Sequence, residues 1–437
     1  MEVPSPTSLL QDLIRFDTTN PPGNEAACMG YMRDLLAKAG FEPAMVGKVA
    51  GRPNLVTRME GRGEAPPLLL YGHVDVVTTA DQRWSVPPFS GEIRDGWIWG
   101  RGALDMKGGI AMMAVALLRA KAEAFVPAGD VIFAVLCDEE VGGALGAQYL
   151  VENHRDLFAG VRFAIGEFGG FPLYVGGKKF AAIQVAEKQV CWLRGKVRGQ
   201  GGHGSVPMRG GAMAKLARVL DALDRHRLPV HITPVMRQML EAIVAATPAP
   251  TNGLLSRLLV ADTVDQTLDA LGGAGMIFDA NLHNTVNATV VQGGSKTNVI
   301  PSEISFQLDG RLLPGCSSRD LLAEVADLVG SDVELEILQH TPGPTEVDMG
   351  LYPLFADVMR EIDPEGIPVP LLLNGSTDAR HFARIGIQTY GFLPMDLPPD
   401  FDFVRYIHAA DERVPVASLE FGTGAISRVL RKYGTAR

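Results

Sequence analysis

The chain has 437 residues, 46% of them hydrophobic and 21% charged, which is long enough for two or three packed domains and too apolar for a disordered chain. Its formal net charge of −10, without a basic tract interleaved with aromatics, argues against a nucleic-acid partner and favours solubility over adhesion to a membrane. Cys28, Cys137, Cys191 and Cys316 lie far apart with no C-x-x-C spacing, which excludes a thiolate zinc site and reads as reduced core thiols of a cytoplasmic protein.

The stretch from Met1 to Thr19 is amphipathic and has no basic n-region, so no secretory signal is expected. Leu9, Leu10, Leu13 and Ile14, then Met29, Met32, Leu35 and Leu36, keep helical spacing on either side of an Asn20–Glu25 turn. Strands are expected at 54–58, 67–71, 131–137 and 161–166, with helices at 106–124 and 143–154 between them. That alternation predicts an α/β fold with a helix-covered, mostly parallel core sheet. The longest apolar stretch, Gly108 to Leu118, is too short to span a bilayer.

Around residue 188 the pattern changes. Val190 to Gly199 alternates like a half-exposed strand, and Gly210 to Arg225 reads as an amphipathic helix. One solvated face suits an antiparallel sheet, so a second, α+β domain is expected at 188–345, with further strands at 284–291 and 303–308. The Pro- and Ala-rich segment 228–280 reads as partly helical and has no evident place. A helix at 351–361, a strand at 386–392 and a helix at 415–433 are too little to stand alone, so 346–437 is expected to rejoin 1–187.

Acidic and histidine clusters stand where apolar strands run out: Gly72-His73-Val74-Asp75, Gly100-Arg101-Gly102-Ala103-Leu104-Asp105, Asp138-Glu139-Glu140 and Gly166-Glu167. Taken singly each has an ordinary reading. Asp105 could cap the helix that follows it, Asp138-Glu139-Glu140 could be a solvated loop, and His408 a surface histidine. Together they place a histidine and several carboxylates at one sheet edge, where open α/β folds put their chemistry. Buried adjacent carboxylates need a cation. Two metals sharing one carboxylate need two histidines and three acidic residues, which His73, Asp105, Glu140, Glu167 and His408 supply, with Glu139 left over as a general base. Asp75 is placed to orient His73.

With these motifs the chain resembles the dizinc peptidases and amidohydrolases that include aminoacylase, acetylornithine deacetylase, succinyl-diaminopimelate desuccinylase and glutamate carboxypeptidase. The resemblance continues through Gly202-His203-Gly204-Ser205, Thr297-Asn298-Val299-Ile300-Pro301, Asp309-Gly310-Arg311, Ser376-Thr377-Asp378-Ala379-Arg380 and His408. It implies two divalent ions, zinc before cobalt or manganese. His73 and Glu167 would hold one, Glu140 and His408 the other, and Asp105 both. Glu139 would shuttle the proton and His203 stabilise the oxyanion, while Asn298, Arg311 and Arg380 would meet a substrate carboxylate. It also implies that 1–187 and 346–437 form the catalytic domain and 188–345 an inserted lid, through which a homodimer is one expected assembly. The segment after His408 reads Ala-Ala-Asp-Glu where relatives commonly show Gly-Pro-Asp-Glu, and 228–280 exceeds a minimal lid. The expected activity is hydrolysis of an amide bond next to a free carboxylate, in an N-acyl amino acid or short peptide. The competing reading is a catalytically silent member that binds a peptide or metabolite. A serine hydrolase lacks support, since no Gly-x-Ser-x-Gly elbow is present.

Overall fold

A computed structural model describes residues 3–344 and 346–435. The chain forms two compact units: one from the residues up to Val185, Asp348–Leu371 and those from Thr377 on, the other from Ala186–Val347 and Leu372–Ser376. The expected boundary at residue 345 lies outside the described residues.

In the first unit the sheet runs Ala44–Val49, Arg52–Met59, Val131–Leu136, Leu68–His73, Phe163–Gly166, Gln388–Gly391, Lys178–Glu187, Ile367–Leu373, with Pro172–Val175 paired to Lys178–Glu187. Its four central strands, from Val131–Leu136 to Gln388–Gly391, are mutually parallel, and antiparallel strands flank them on both sides. The α/β expectation is borne out. Val131–Leu136 and Leu68–His73 are buried at every residue, which is why they read as continuous apolar runs rather than alternating ones.

Helices cover both faces. Lys107–Ala122, almost wholly buried, packs against Val416–Lys432, Pro6–Ile14 and the Leu68–His73 strand. On the opposite face Leu69, Tyr71, Ile132, Ala134 and Ala164 form a core with Ala147, Leu150 and Val151 of the Ala147–Asn153 helix and with Phe382.

The second unit is an antiparallel sheet in the order Thr285–Gly293, Glu303–Leu312, Gln189–Arg198, Val333–His340. Glu303–Leu312 alternates buried and less buried residues along its length. Its inward Ile304, Phe306 and Leu308 pack with Leu193 and Val197 against Leu216 and Val219 of the Ala212–Arg225 helix and Leu321 and Val325 of Ser318–Val329. The segment that the sequence left unplaced folds as Pro234–Ala246, Thr251–Leu255, Val264–Leu271 and Met276–Leu282. Lys188, fully buried, ties this insertion to the sheet. Its three N–H groups find the carbonyls of Ala280 and His283 and the Thr285 hydroxyl at 2.9–3.0 Å. No helix among the described residues is long and apolar enough to cross a membrane.

Candidate metal centre

Because Leu68–His73, Val131–Leu136 and Phe163–Gly166 are adjacent and parallel, their carboxyl ends open on one edge. His73 is the last residue of the first strand, and Glu167 directly follows the third. After the second, Asp138 takes a left-handed conformation (φ 71°) that turns the chain into a short 3-10 turn, Glu139–Val141. Asp105 stands two residues before the Lys107–Ala122 helix. Met106 holds the N-cap position, with no side-chain cap, so the capping reading of Asp105 does not apply. Gly72 makes room for this approach, since a Cβ there would fall 2.2 Å from Met106 Cε.

The carboxylates and imidazoles converge. His73 Nε2 lies 3.2 Å from Asp105 Oδ1 and 3.2 Å from Glu167 Oε2. His408 Nε2 lies 3.2 Å from Asp105 Oδ2 and 3.2 Å from Glu140 Oε2. Two triads capable of holding an ion therefore share Asp105, one oxygen to each: His73–Asp105–Glu167 and Asp105–Glu140–His408. His73 Nδ1 sits 2.9 Å from the Asp75 carbonyl, which fixes Nδ1–H as donor and turns the Nε2 lone pair toward the carboxylates. Burial pushes Glu139 well above the usual carboxylate range, with the Glu167 charge adding to it, and pushes Glu140 up to about 7. Glu167 is raised by burial too. Burial opposes ionisation of Asp105 as well, but hydrogen bonds from His408 and His73 outweigh it and hold Asp105 below the usual range. Hydrogen bonds to Asp105 and Glu140 carry His408 up to about 10. Glu140 Oε1 is buried without a hydrogen-bond partner among the described residues, an acceptor that a cation would satisfy. Oxygen and imidazole donors crowded in this way, their charge balanced by bound protons when no metal is present, fit a pair of divalent ions.

Two networks that the sequence reading did not foresee support the triads. The Asp75 carboxylate lies 3.7 Å from His73 Nδ1 and instead accepts the backbone N–H groups of Glu139 (3.2 Å) and Glu140 (3.1 Å) and the Asn20 amide (2.8 Å). Asp75 thus couples the His73 ring, through its carbonyl, to the turn bearing Glu139 and Glu140. Behind it Arg52 bridges Glu25 (2.6 Å) and Asp138 (2.9 Å), all three largely buried. On the other side, buried Arg101 pairs with buried Glu412 at 2.7 Å, and Glu412 accepts the backbone N–H groups of Leu104 (2.7 Å) and Asp105 (3.1 Å). These partners are as much as 311 residues apart, so only the lone charge of Arg101 among glycines could have signalled them.

Arg380 belongs to the first unit; its Nη1 donates to the Thr377 carbonyl, and its charge lowers the proton affinity of Glu167. His203, Asn298 and Arg311 belong to the second. His203 is exposed, pairs in register with Val299, and has Nδ1 2.8 Å from the Ser205 hydroxyl. Asn298 accepts the Gly204 N–H through its carbonyl at 2.8 Å. Arg311 is engaged by Asp309 through two bonds, 2.8 and 3.1 Å.

Residues 69–432 match Peptidase family M20/M25/M40. Succinyl-diaminopimelate desuccinylase of Methylorubrum extorquens is 30% identical over 98% of this chain and 99% of its own length. The N-fatty-acyl-amino acid synthase/hydrolase PM20D1 of Bos taurus is 30% identical over 81% of this chain and 71% of its own. The M20 family metallo-carboxypeptidase Sso-CP2 of Sulfolobus solfataricus shares the fold at a TM-score of 0.67, with 16% identity over 98% of this chain and 99% of its own. With the family match covering residues 69–432 of 437, the chain belongs to Peptidase family M20/M25/M40 and is a metallohydrolase acting on amide bonds.

Proposed function

We propose that the protein hydrolyses an amide bond next to a free carboxylate, in an N-acyl amino acid or short peptide, with two zinc ions as cofactors. The observation that carries this reading is the pair of triads sharing Asp105, with the Glu139 carboxyl close enough to feel the charges of His73 and Glu167. His73, Asp105 and Glu167 would hold one ion, and Asp105, Glu140 and His408 the other. When bound, the ions supply Lewis-acid polarisation of the scissile carbonyl and acidify the attacking water.

The protein's own groups do the rest. Glu139 takes the proton of the attacking water on its carboxylate as the oxygen bonds to the carbonyl carbon, and returns it to the leaving nitrogen as the C–N bond breaks. A carboxyl whose proton affinity burial raises above the usual range suits the return of the proton to the leaving nitrogen. Asp75 keeps His73 in the ligating tautomer and holds the Glu139 turn by its backbone. Arg380, with Asn298 and Arg311, is assigned to the substrate carboxylate, for which a guanidinium fork is suited. His203 is assigned to the oxyanion, and Ala186–Val347 to a lid or dimerisation role, on the family resemblance. Four free cysteines support a cytoplasmic setting.

Metal content of the purified protein, with a hydrolysis screen over N-acyl amino acids and dipeptides before and after chelation, tests the reading. About two equivalents and chelator-sensitive release of an amino acid are expected. Glu139→Gln and His203→Ala should keep the metal and lose turnover by about 10²–10⁴-fold and about 10²–10³-fold respectively. A metal-free, inactive, folded protein would overturn it.

A further inference from the structure

Arg101 gathers groups from two segments, 82–84 and 408–412, the second of them 307–311 residues away in sequence. Its Nη1 meets Glu412 Oε2 at 2.7 Å, while Nη2 donates to Gln82 Oε1 at 2.8 Å and to the His408 carbonyl at 3.3 Å. The guanidinium carbon stands 5.1 Å from the centre of the Trp84 ring. Gln82 Nε2 donates to the same His408 carbonyl at 2.8 Å. Glu412 commits its other oxygen to the backbone of Leu104 and Asp105, and its own carbonyl accepts the Gly100 N–H at 2.9 Å.

The distribution of these contacts is uneven. His408, which belongs to one triad only, is gripped by Arg101 and Gln82 through its carbonyl, while Asp105, gripped by Glu412 through its N–H, serves both triads. His73 and Glu167 receive none of these bonds. His73 is fixed from the other side by Asp75. His408 has particular need of support. Its side chain is 50% exposed, and its backbone stands at φ 61°, a conformation that residues with a Cβ adopt at a cost.

We propose that Arg101 and Gln82, with Glu412 holding Arg101 in place, are positioning residues for His408, and that they set the affinity of the metal position served by His408 and Glu140 separately from that of the position served by His73. The proposal rests on the two-metal reading above. Groups that orient ligands from behind typically change metal affinity by about 10–100-fold when removed.

The test is an equilibrium titration of chelator-stripped protein with Co²⁺ and with Zn²⁺ against a competing chelator, following the Co²⁺ absorption bands and the bound stoichiometry. Wild type, Gln82→Ala and Glu412→Gln are compared, each checked for its thermal unfolding midpoint. Gln82→Ala removes a neutral, half-buried side chain and decides the matter alone where Glu412→Gln fails to fold. The expected result is two equivalents in the wild type and, in Gln82→Ala, about 10–100-fold weaker binding of one equivalent with the other unchanged; Glu412→Gln should weaken that same equivalent at least as much. Equal weakening of both equivalents in Gln82→Ala, or both affinities intact there, would overturn the proposal. A wild type that never takes a second equivalent overturns the two-metal reading and this proposal together, and it shows before any substitution is compared.

Discussion

At the residue scale the triads are proton-rich unless a metal replaces the protons. His408 is carried from 6.5 to about 10 by hydrogen bonds to Asp105 and Glu140. His73 is also raised; burial opposes its charge, and Glu167 and Asp105 overcome that. A histidine raised in this way contributes stability that is complete below about 6.5 and lost as the pH climbs through the folded value. Glu140, raised from 4.5 to about 7 by burial, acts in the same direction over its own lower window. Chelated protein is therefore expected to lose thermal stability steadily between about pH 6.5 and 10, with the His408 imidazole still protonated at pH 8 by NMR titration. Metal addition at neutral pH should release protons, because a ligating imidazole must be neutral. A stability that rises over that range would contradict the network.

At the scale of elements the site depends on how tightly the turn after Val131–Leu136 is folded back on its strand. A Cβ at Gly146 would lie 1.9 Å from the Cys137 carbonyl oxygen, a backbone atom that cannot swing aside. Gly146→Ala should destabilise the protein by about 1–3 kcal/mol and, by moving the turn that carries Glu139 and Glu140, lower turnover as well. Chemical denaturation checks the first and initial rates the second; an unchanged midpoint would mean that the turn tolerates the shift.

The same elements show what was legible beforehand. Leu68–His73 and Val131–Leu136 were readable because strands buried on both faces spell continuous apolar runs, and Lys107–Ala122 because its apolar content is helical in length. Lys178–Glu187 was not, since it opens on two lysines and carries alanines where β-branched residues would mark a strand. The insertion from Pro234 to Leu282 breaks into helices of 5–13 residues separated by Pro, Gly and 3-10 turns, too short for a periodicity to declare itself. The candidate ligands stood out because carboxylates at the end of apolar strands are conspicuous. Arg52–Glu25 and Arg101–Glu412 did not, because a buried ion pair is visible only once both partners are placed.

At the scale of the whole molecule every candidate ligand belongs to the first unit, while the second keeps a core of its own. Ligand binding to the folded state adds about 2.7 kcal/mol per site at a hundredfold excess over Kd. Chelation should therefore weaken hydrogen-exchange protection in Leu68–His73 and Val131–Leu136 and leave Gln189–Arg198 and Glu303–Leu312 near their original level. Equal loss in both sets would show that the units open as one.

The first unit is not contiguous in sequence, and that gives synthesis on the ribosome an order. Gln388–Gly391 sits inside the sheet, between Phe163–Gly166 and Lys178–Glu187, yet it emerges after the entire second unit. Until then a nascent chain carries an open strand edge beside Glu167, and the last candidate ligand, His408, comes later still. A chain that ends before Gln388 therefore lacks His408 and leaves the Phe163–Gly166 strand without its Gln388–Gly391 neighbour, an unpaired edge open to association with other chains.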